Sequence, residues 1–408
     1  MTAIQLIMYP IALFLLFYSL YWLALIVLGY ANPKASEENK NQSNPHLLLV
    51  LPAYKPGPIF REVLNSIETA IRARKNIHVY VLLQEADSGY ADFVKSKGFF
   101  VEEKSFGHLG GNSYQHALRH ITHTIQRECN KGTWCPEFLM LVDKDNLLDK
   151  DYFNNIPESI YDSYDIIQGK RSSLSVNNSV AFFDNTTEAL NDTMFRKAKQ
   201  NMGLMIEISG SGALIEAELF SEAINSLDPR APGFDKNFMV QLLSHKRDVR
   251  TIYWPSSELY EEKTSALEAH NPQRLRWFGE QYYNALYHGK TLLKAAINYR
   301  RMAAFDYIIT LWRPPRSVQV VIAPMAAALE IGWYAYFGSW PLYLPLFTAS
   351  VIILGLAVAL FLISQQALGT ALKHGLQLPK LAFNNIFNAA KSIKKENQGK
   401  FIHTTHKL

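Results

Sequence analysis

From Met1 to Pro33 the chain carries no charged side chain, and within that stretch Ile4 to Leu28 is apolar enough to cross a bilayer as one helix. At about 1.5 Å of rise per residue, a run of this length reaches across a hydrocarbon core of roughly 30 Å. A cleaved signal peptide is the competing reading. It would begin with basic residues and hold an apolar run of only about 7 to 15 residues. Here no Lys or Arg precedes the run, so a retained anchor is expected. A second apolar region extends from Ser317 to Ser364, broken by Gly338-Ser339-Trp340-Pro341 and holding one charge, Glu330. Two helices joined by a tight turn fit it better than one.

The charges around these segments fix an orientation. Arg313 and Arg316 precede the hairpin, and Lys373, Lys380, Lys391, Lys394, Lys395, Lys400 and Lys407 follow it against the single acid Glu396. Basic loops stay on the cytoplasmic side, so both flanks belong there and the uncharged N-terminus lies outside. Three crossings then leave the middle of the chain in the cytosol, the arrangement of a bacterial inner-membrane protein. The expected layout is an anchor over residues 1–33, a linker over 34–45, a central domain over 46–270, interfacial amphipathic helices over 271–316, the hairpin over 317–364 and a basic tail over 365–408. Much of the net charge of +5 comes from that tail. Membrane lipids with anionic headgroups explain it more simply than nucleic acid, for which no motif is present. A transporter is disfavoured because the apolar segments carry almost no polar pathway residues.

The two cysteines, Cys129 and Cys135, form no metal-ligand pattern with histidine, and reduced thiols in a reducing compartment are expected. Acceptor triplets for N-glycosylation begin at Asn41, Asn177, Asn185 and Asn191, but a cytosolic domain would never present them to the modifying enzyme.

Between the apolar segments, strands and helices alternate. Apolar runs at His46 to Leu51, Val79 to Leu83, Phe100 to Glu102 and Phe138 to Val142 read as buried strands. Helical patterns lie between them, as at Pro58 to Arg74 and Ser113 to Cys129. This alternation predicts an α/β domain with a mostly parallel sheet, whose ligands bind beyond the carboxyl ends of the strands.

Polar residues of chemical interest fall at those ends. Asp143-Lys144-Asp145 closes the strand Phe138 to Val142, and residues two apart on extended chain point to one side. Such a pair suits a hard divalent cation shared with phosphate oxygens, although alone it is also the composition of a solvated turn. Downstream come Ser209-Gly210-Ser211-Gly212, either a close backbone approach to a ligand or a tight turn, and then Asp235, which could equally cap a helix from Asn237 to Ser244. Gln273, Arg276 and Trp277 follow in a stretch rich in aromatic and basic residues, which would also suit a helix resting on a bilayer.

With the D-x-D triplet, the lone Asp and the Q-x-x-R-W motif in this order, the chain resembles the membrane-embedded family 2 inverting glycosyltransferases, the group that includes cellulose, chitin and hyaluronan synthases. The likeness runs from about Leu47 to Arg316. It implies a GT-A-like nucleotide-sugar domain and transfer from a nucleotide-sugar donor, a UDP-sugar by preference, with Mg2+ or Mn2+. It places Pro52 and Tyr54, Glu85 or Asp87, Asp143 and Arg276 on the donor, and Asp143 and Asp145 on the metal. Asp235 becomes the general base, and Gly210, Ser211, Gly212, Gln273 and Trp277 line the acceptor. Two positions depart from the family pattern. Phe234 stands where the base is usually preceded by Glu, and Gly110-Gly111-Asn112 stands where many relatives have Gly-Lys. The family implies synthesis of a growing polysaccharide, with export or oligomer partners. Two C-terminal crossings are few for a self-contained channel, so transfer of one sugar to a membrane lipid, as in ceramide glucosyltransferases, is the alternative. A catalytically silent nucleotide-sugar-binding relative is the third reading.

Overall fold

The computed structural model describes residues 3–31, 44–109, 113–174, 178–228, 231, 233–261, 267–392 and 394. Gly110-Gly111-Asn112, the acceptor triplet at Asn41, Asn177 itself and most of the linker lie outside them.

Eight strands form one sheet. They are β1 (Leu47–Tyr54), β2 (Ile77–Gln84), β3 (Phe100–Glu103), β4 (Phe138–Leu141), β5 (Asn146–Leu148), β6 (Ile166–Ser173), β7 (Ala213–Glu216) and β8 (Thr251–Glu261), in the order β3-β2-β1-β4-β7-β6-β8-β5. The first four in that order are parallel; β7 runs antiparallel to β4 and β6, and β5 antiparallel to β8, while β6 and β8 are parallel. Seven of the eight residues of β1 are buried, as an inner parallel strand requires. Its Pro52 is tolerated because the ladder to β4 ends at Val50↔Leu141. The Val50 carbonyl accepts from Val142 N–H at 3.0 Å, and two residues on, the missing donor of Pro52 faces a side with no further strand to serve.

In chain order the helices are α1 (Ala3–Gly29), α2 (Ile59–Ile71), α3 (Tyr90–Ser96), α4 (Ser113–Asn130), α5 (Glu158–Ser163), α6 (Ser179–Asn191), α7 (Ala198–Asn201), α8 (Ala217–Asn225), α9 (Asp235–Ser244), α10 (Leu267–Asn298), α11 (Met302–Trp312), α12 (Arg316–Phe337), α13 (Leu346–Ser364), α14 (Leu368–His374) and α15 (Leu378–Ser392). A π-helical turn, Asp192–Lys197, joins α6 to α7. Apolar clusters fill both faces of the sheet. On one, α2 buries Phe60, Val63, Leu64 and Ile67, each stabilising by about 1.5–3 kcal/mol. On the other, α4, α8, α9, α10 and α11 pack against the inner sides of β1, β4 and β7.

Helices α1, α12 and α13 are long and apolar enough to cross a membrane. They pack together around Ser19, whose hydroxyl lies 2.9 Å from Ser350 Oγ and accepts from Gln319 Nε2 at 3.3 Å. Glu330, the lone charge of the hairpin, accepts from Thr348 N–H at 2.7 Å and so stabilises the start of α13. Helix α1 is more than a tether. Tyr21 on it donates to Asp306 on α11 at 2.8 Å, and the buried Lys199 ammonium ties Asp306 (2.9 Å) to Glu207 (3.2 Å). The apolar bundle is thereby clamped to the α/β domain.

One expectation changes. Cys129 and Cys135 are joined by a disulfide closing the turn after α4, not held as free thiols. Asn185 and Asn191 sit in α6, where they accept from Ser173 Oγ (2.7 Å) and Arg316 Nη2 (2.6 Å), so neither is on an open loop. The basic segment after the hairpin is folded over its described part: α15 buries Leu381, Ala382 and Asn385 and leaves Phe383 and Phe387 exposed.

Candidate active site

The parallel strands end on a shared rim. Lys55 and Glu85, the residues just past β1 and β2, both adopt left-handed backbone (φ 44° and 48°), a conformation that non-glycine residues rarely hold and that favours a tightly bent rim. The Lys55 ammonium lies 3.2 Å from Glu85 Oε2 and holds that carboxyl below its usual range. Tyr54 and Ser105 hydroxyls also donate to Glu85, at 3.2 and 3.3 Å. Of the two acids left open by the sequence, both are exposed, and Glu85 is the one bonded to Tyr54, Lys55 and Ser105.

Past β4, Lys144 turns away from its two neighbours and donates to the carbonyls of Tyr54 (2.7 Å) and Lys55 (3.2 Å), which pins the triplet to the end of β1. Asp143 is fixed through its N–H, which donates to Ser211 Oγ at 3.2 Å. Burial, then the charge of Asp145, pushes the Asp143 carboxyl up to about 7; Asp235 and Glu261 add to the crowding and Arg171 opposes it. Asp235 opens α9 and faces the same centre. Burial raises its carboxyl too, against the pull of Lys236, Arg171 and Arg276. Capping does not explain this residue, because Phe234 holds the cap position and no side chain caps the helix. Phe234 itself packs between Tyr114 (ring centroids 5.4 Å) and Phe238 (6.1 Å). The aromatic at this position thus fills the wall behind Asp235.

The glycine loop is shaped by that acid. A Cβ on Gly210 would lie 2.6 Å from Asp235 Oδ1, and Gly212 has φ +72°. Gln168, buried on β6, accepts from Ser209 N–H at 2.9 Å and donates to the Gly212 carbonyl at 3.0 Å, locking the loop. We expect Gly210→Ala to lower turnover at least tenfold by displacing Asp235, with a thermal melt changed little. Gly289→Ala, where a Cβ meets nothing within 4 Å, should leave turnover alone and stabilise by up to about 1 kcal/mol. Equal turnover in the two variants would remove the claim that Gly210 positions the carboxylate.

Helix α10 carries the Q-x-x-R-W residues. Arg276 is among the charges acting on Asp235, Tyr114 and Glu280. Gln273 Oε1 is buried without a hydrogen-bond partner, an acceptor left for a ligand. Trp277 does not present an open ring on both faces: the Arg274 guanidinium lies 4.5 Å from its centroid and pairs with Asp184. One turn beyond Arg276, Glu280 accepts from Lys236 N–H at 2.7 Å and sits where a Cβ on Gly233 would come within 2.5 Å. That bond couples α10 to the first turn of α9.

Four groups here escape a sequence reading: Tyr114, Arg171, Arg274 and Glu280. Arg171 matters most, since its half-buried guanidinium pairs with Glu261, feels Asp143 and Asp235, and keeps one N–H, at Nε, without a partner among the described residues. Glu280 was recoverable from spacing, being four residues after Arg276 on one helix face. Arg171 was not, because β6 shows no apolar alternation where it carries it.

Among the described residues no three acidic, histidine or cysteine side chains gather as a full metal cage. The crowded pair Asp143 and Asp145 nevertheless fits a dication whose remaining ligands are phosphate oxygens, because a positive charge offsets the burial and the Asp145 repulsion that raise Asp143.

A half-parallel, half-mixed sheet with an acidic triplet at its centre and a second acid opposite defines a GT-A-like transferase. The family model for glycosyltransferase like family 2 matches residues 45–280, and the chain belongs to that family; it is a glycosyltransferase. No curated protein sequence matches it. Among solved structures it is similar to the mannosyltransferase PcManGT from Pyrobaculum calidifontis in complex with GDP-Man and Mn2+, at 16% identity and TM-score 0.53 over 95% of this chain and 98% of that one. This likeness bears on the fold. Glucosyl-3-phosphoglycerate synthase from Mycobacterium tuberculosis, in complex with Mn2+, UDP-glucose and phosphoglyceric acid, matches at 11% identity and TM-score 0.37 over 61% and 84% of the two chains.

Proposed function

We propose that this chain is a membrane-bound inverting glycosyltransferase that moves one sugar from a nucleoside-diphosphate sugar, a UDP-sugar in our reading, to a lipid acceptor at the cytoplasmic face. The observation that carries the reading is the convergence of Asp143, Asp235 and Arg171 on one centre, in a domain clamped to three apolar helices. Asp143 and Asp145 would hold Mg2+ or Mn2+ against the diphosphate; the bound ion supplies charge neutralisation for the departing group. Mn2+ accompanies the sugar nucleotide in the like-folded mannosyltransferase. Pro52, Tyr54 and Glu85 border the nucleotide, and Arg276 bonds the diphosphate. Asp235, its carboxyl raised, takes the proton of the acceptor hydroxyl as that oxygen attacks the anomeric carbon from the face opposite the leaving group. Gly210 to Gly212, Gln273 and Trp277 form the acceptor side.

A lipid acceptor is favoured over a growing polysaccharide by the packing of α1, α12 and α13. They close on one another through Ser19, Gln319 and Ser350, which supports no polymer conduit within one chain. Polysaccharide synthesis would need further copies or an export partner. Purified protein in lipid discs, given labelled nucleotide sugar, decides between them. Label in a solvent-extractable lipid is expected; label in a polymer would overturn this choice of acceptor, and no transfer with any nucleotide sugar would overturn the function.

The orientation is tested separately. A reporter active only in the cytosol should be active after Leu408 and inactive near Gly338. The reverse pattern would separate the site from its donor and defeat the proposal.

A further inference from the structure

A large cavity lies away from the acidic centre. It is a groove of about 1730 Å³ at the end where β6 and β8 begin, opposite the end that carries Arg171 and Glu261. None of Asp143, Asp145, Arg171, Asp235, Arg276 and Glu280 is among the residues that line the groove, so the two sites are distinct. Its walls come from the last residues of α1, the π-helical turn, the loop after α9 and the corner between α10 and α11. Lys197, Lys246, Arg250, Arg300 and Arg301 line it against one acid, Asp248. Two of these cations are committed: Arg301 donates to the carbonyls of Leu243, His245 and Lys246, and Arg250 lies 3.6 Å from Asp165. Lys197, Lys246 and Arg300 form no ion pair with the described residues.

We propose that this groove binds the phosphate headgroup of an anionic membrane phospholipid. The inference rests on α1 crossing the membrane, as in the function proposed above. If it does, Gly29 to Ala31 leave the hydrocarbon at the groove's edge. Tyr30, Tyr299 and Met302 are exposed there (41%, 42% and 66%), the amphipathic and apolar types expected at a headgroup boundary. Excess cationic charge on such a rim, facing an anionic leaflet, is complementary to lipid phosphate and to little else held at that depth. A lipid seated here would contact the domain and α1 together, and so hold the domain at a fixed height over the bilayer.

The test uses the full-length protein in detergent, with bound phosphatidylglycerol and phosphatidylcholine counted by native mass spectrometry. At about fivefold per cation, the combined variant Lys197→Gln, Lys246→Gln, Arg300→Gln should lose about a hundredfold in preference for phosphatidylglycerol while keeping its thermal melt. Lys380→Gln with Lys391→Gln, on α15, should keep most of it. A groove variant with undiminished preference, or displacement of the lipid by millimolar inorganic phosphate alone, would overturn the proposal. Extraction of the protein from membranes by carbonate would show instead that the membrane reading beneath it fails.

Discussion

Asp235→Asn is expected to lower sugar transfer by about two to four orders of magnitude, the contribution of a positioned general base, while donor affinity and folding survive. The substitution keeps size beside Gly210, where space for one more carbon does not exist. It also disturbs no cap, since the carboxylate makes no capping bond to α9. Loss of the charge removes one of the carboxylates crowding Asp143, so metal affinity should hold or fall slightly. Turnover and donor binding measured on one preparation separate the effects. Near-normal turnover would place the base elsewhere, and joint loss of donor binding and folding would make Asp235 a structural residue.

Asp145→Asn should abolish transfer, and a chelator should do the same to the unsubstituted enzyme, because the diphosphate is then left uncompensated. The pH dependence of metal binding carries its own sign. An acid held at about 7 in the folded state keeps its proton below that pH, so a cation must displace it. Metal affinity should therefore rise about tenfold per pH unit up to about pH 7 and flatten above. Without metal, the same raised pKa makes the fold gain stability as pH falls from about 7 toward the ordinary aspartate value. Isothermal titration with Mn2+ between pH 5.5 and 8 reads the slope, and a flat profile would detach Asp143 from the metal. Full activity in chelator would sink the metal assignment altogether.

The nucleotide half of the fold was legible because β1, β2 and β4 are almost wholly buried and so read as apolar runs, while the edge strand β3 is short and half polar; β1 to β4 fall within a few residues of expectation. The acceptor half was not. β6 mixes Gln168, Lys170 and Arg171 with apolar residues because its later part lines the site, and function there overrides the hydrophobic period. The same cause hid Arg171. The acids Asp143, Asp145 and Asp235 were singled out by motif order, whereas the charges that act on Asp143 and Asp235 come from residues far apart in sequence, such as Arg171 and Arg276, which no local pattern joins. The disulfide was missed for a different reason. Compartment argued for reduced thiols, while the turn at Gly132 (φ +73°) brings Cys129 and Cys135 together.

The central claim is a single displacement at the anomeric carbon with Asp235 as base. It is tested most directly by the anomeric configuration of the first product, read by NMR from a donor of known configuration. An α-linked donor should give a β-linked product in the presence of Mn2+. Retention of configuration would contradict the account, because it requires either a second displacement or attack from the leaving-group face.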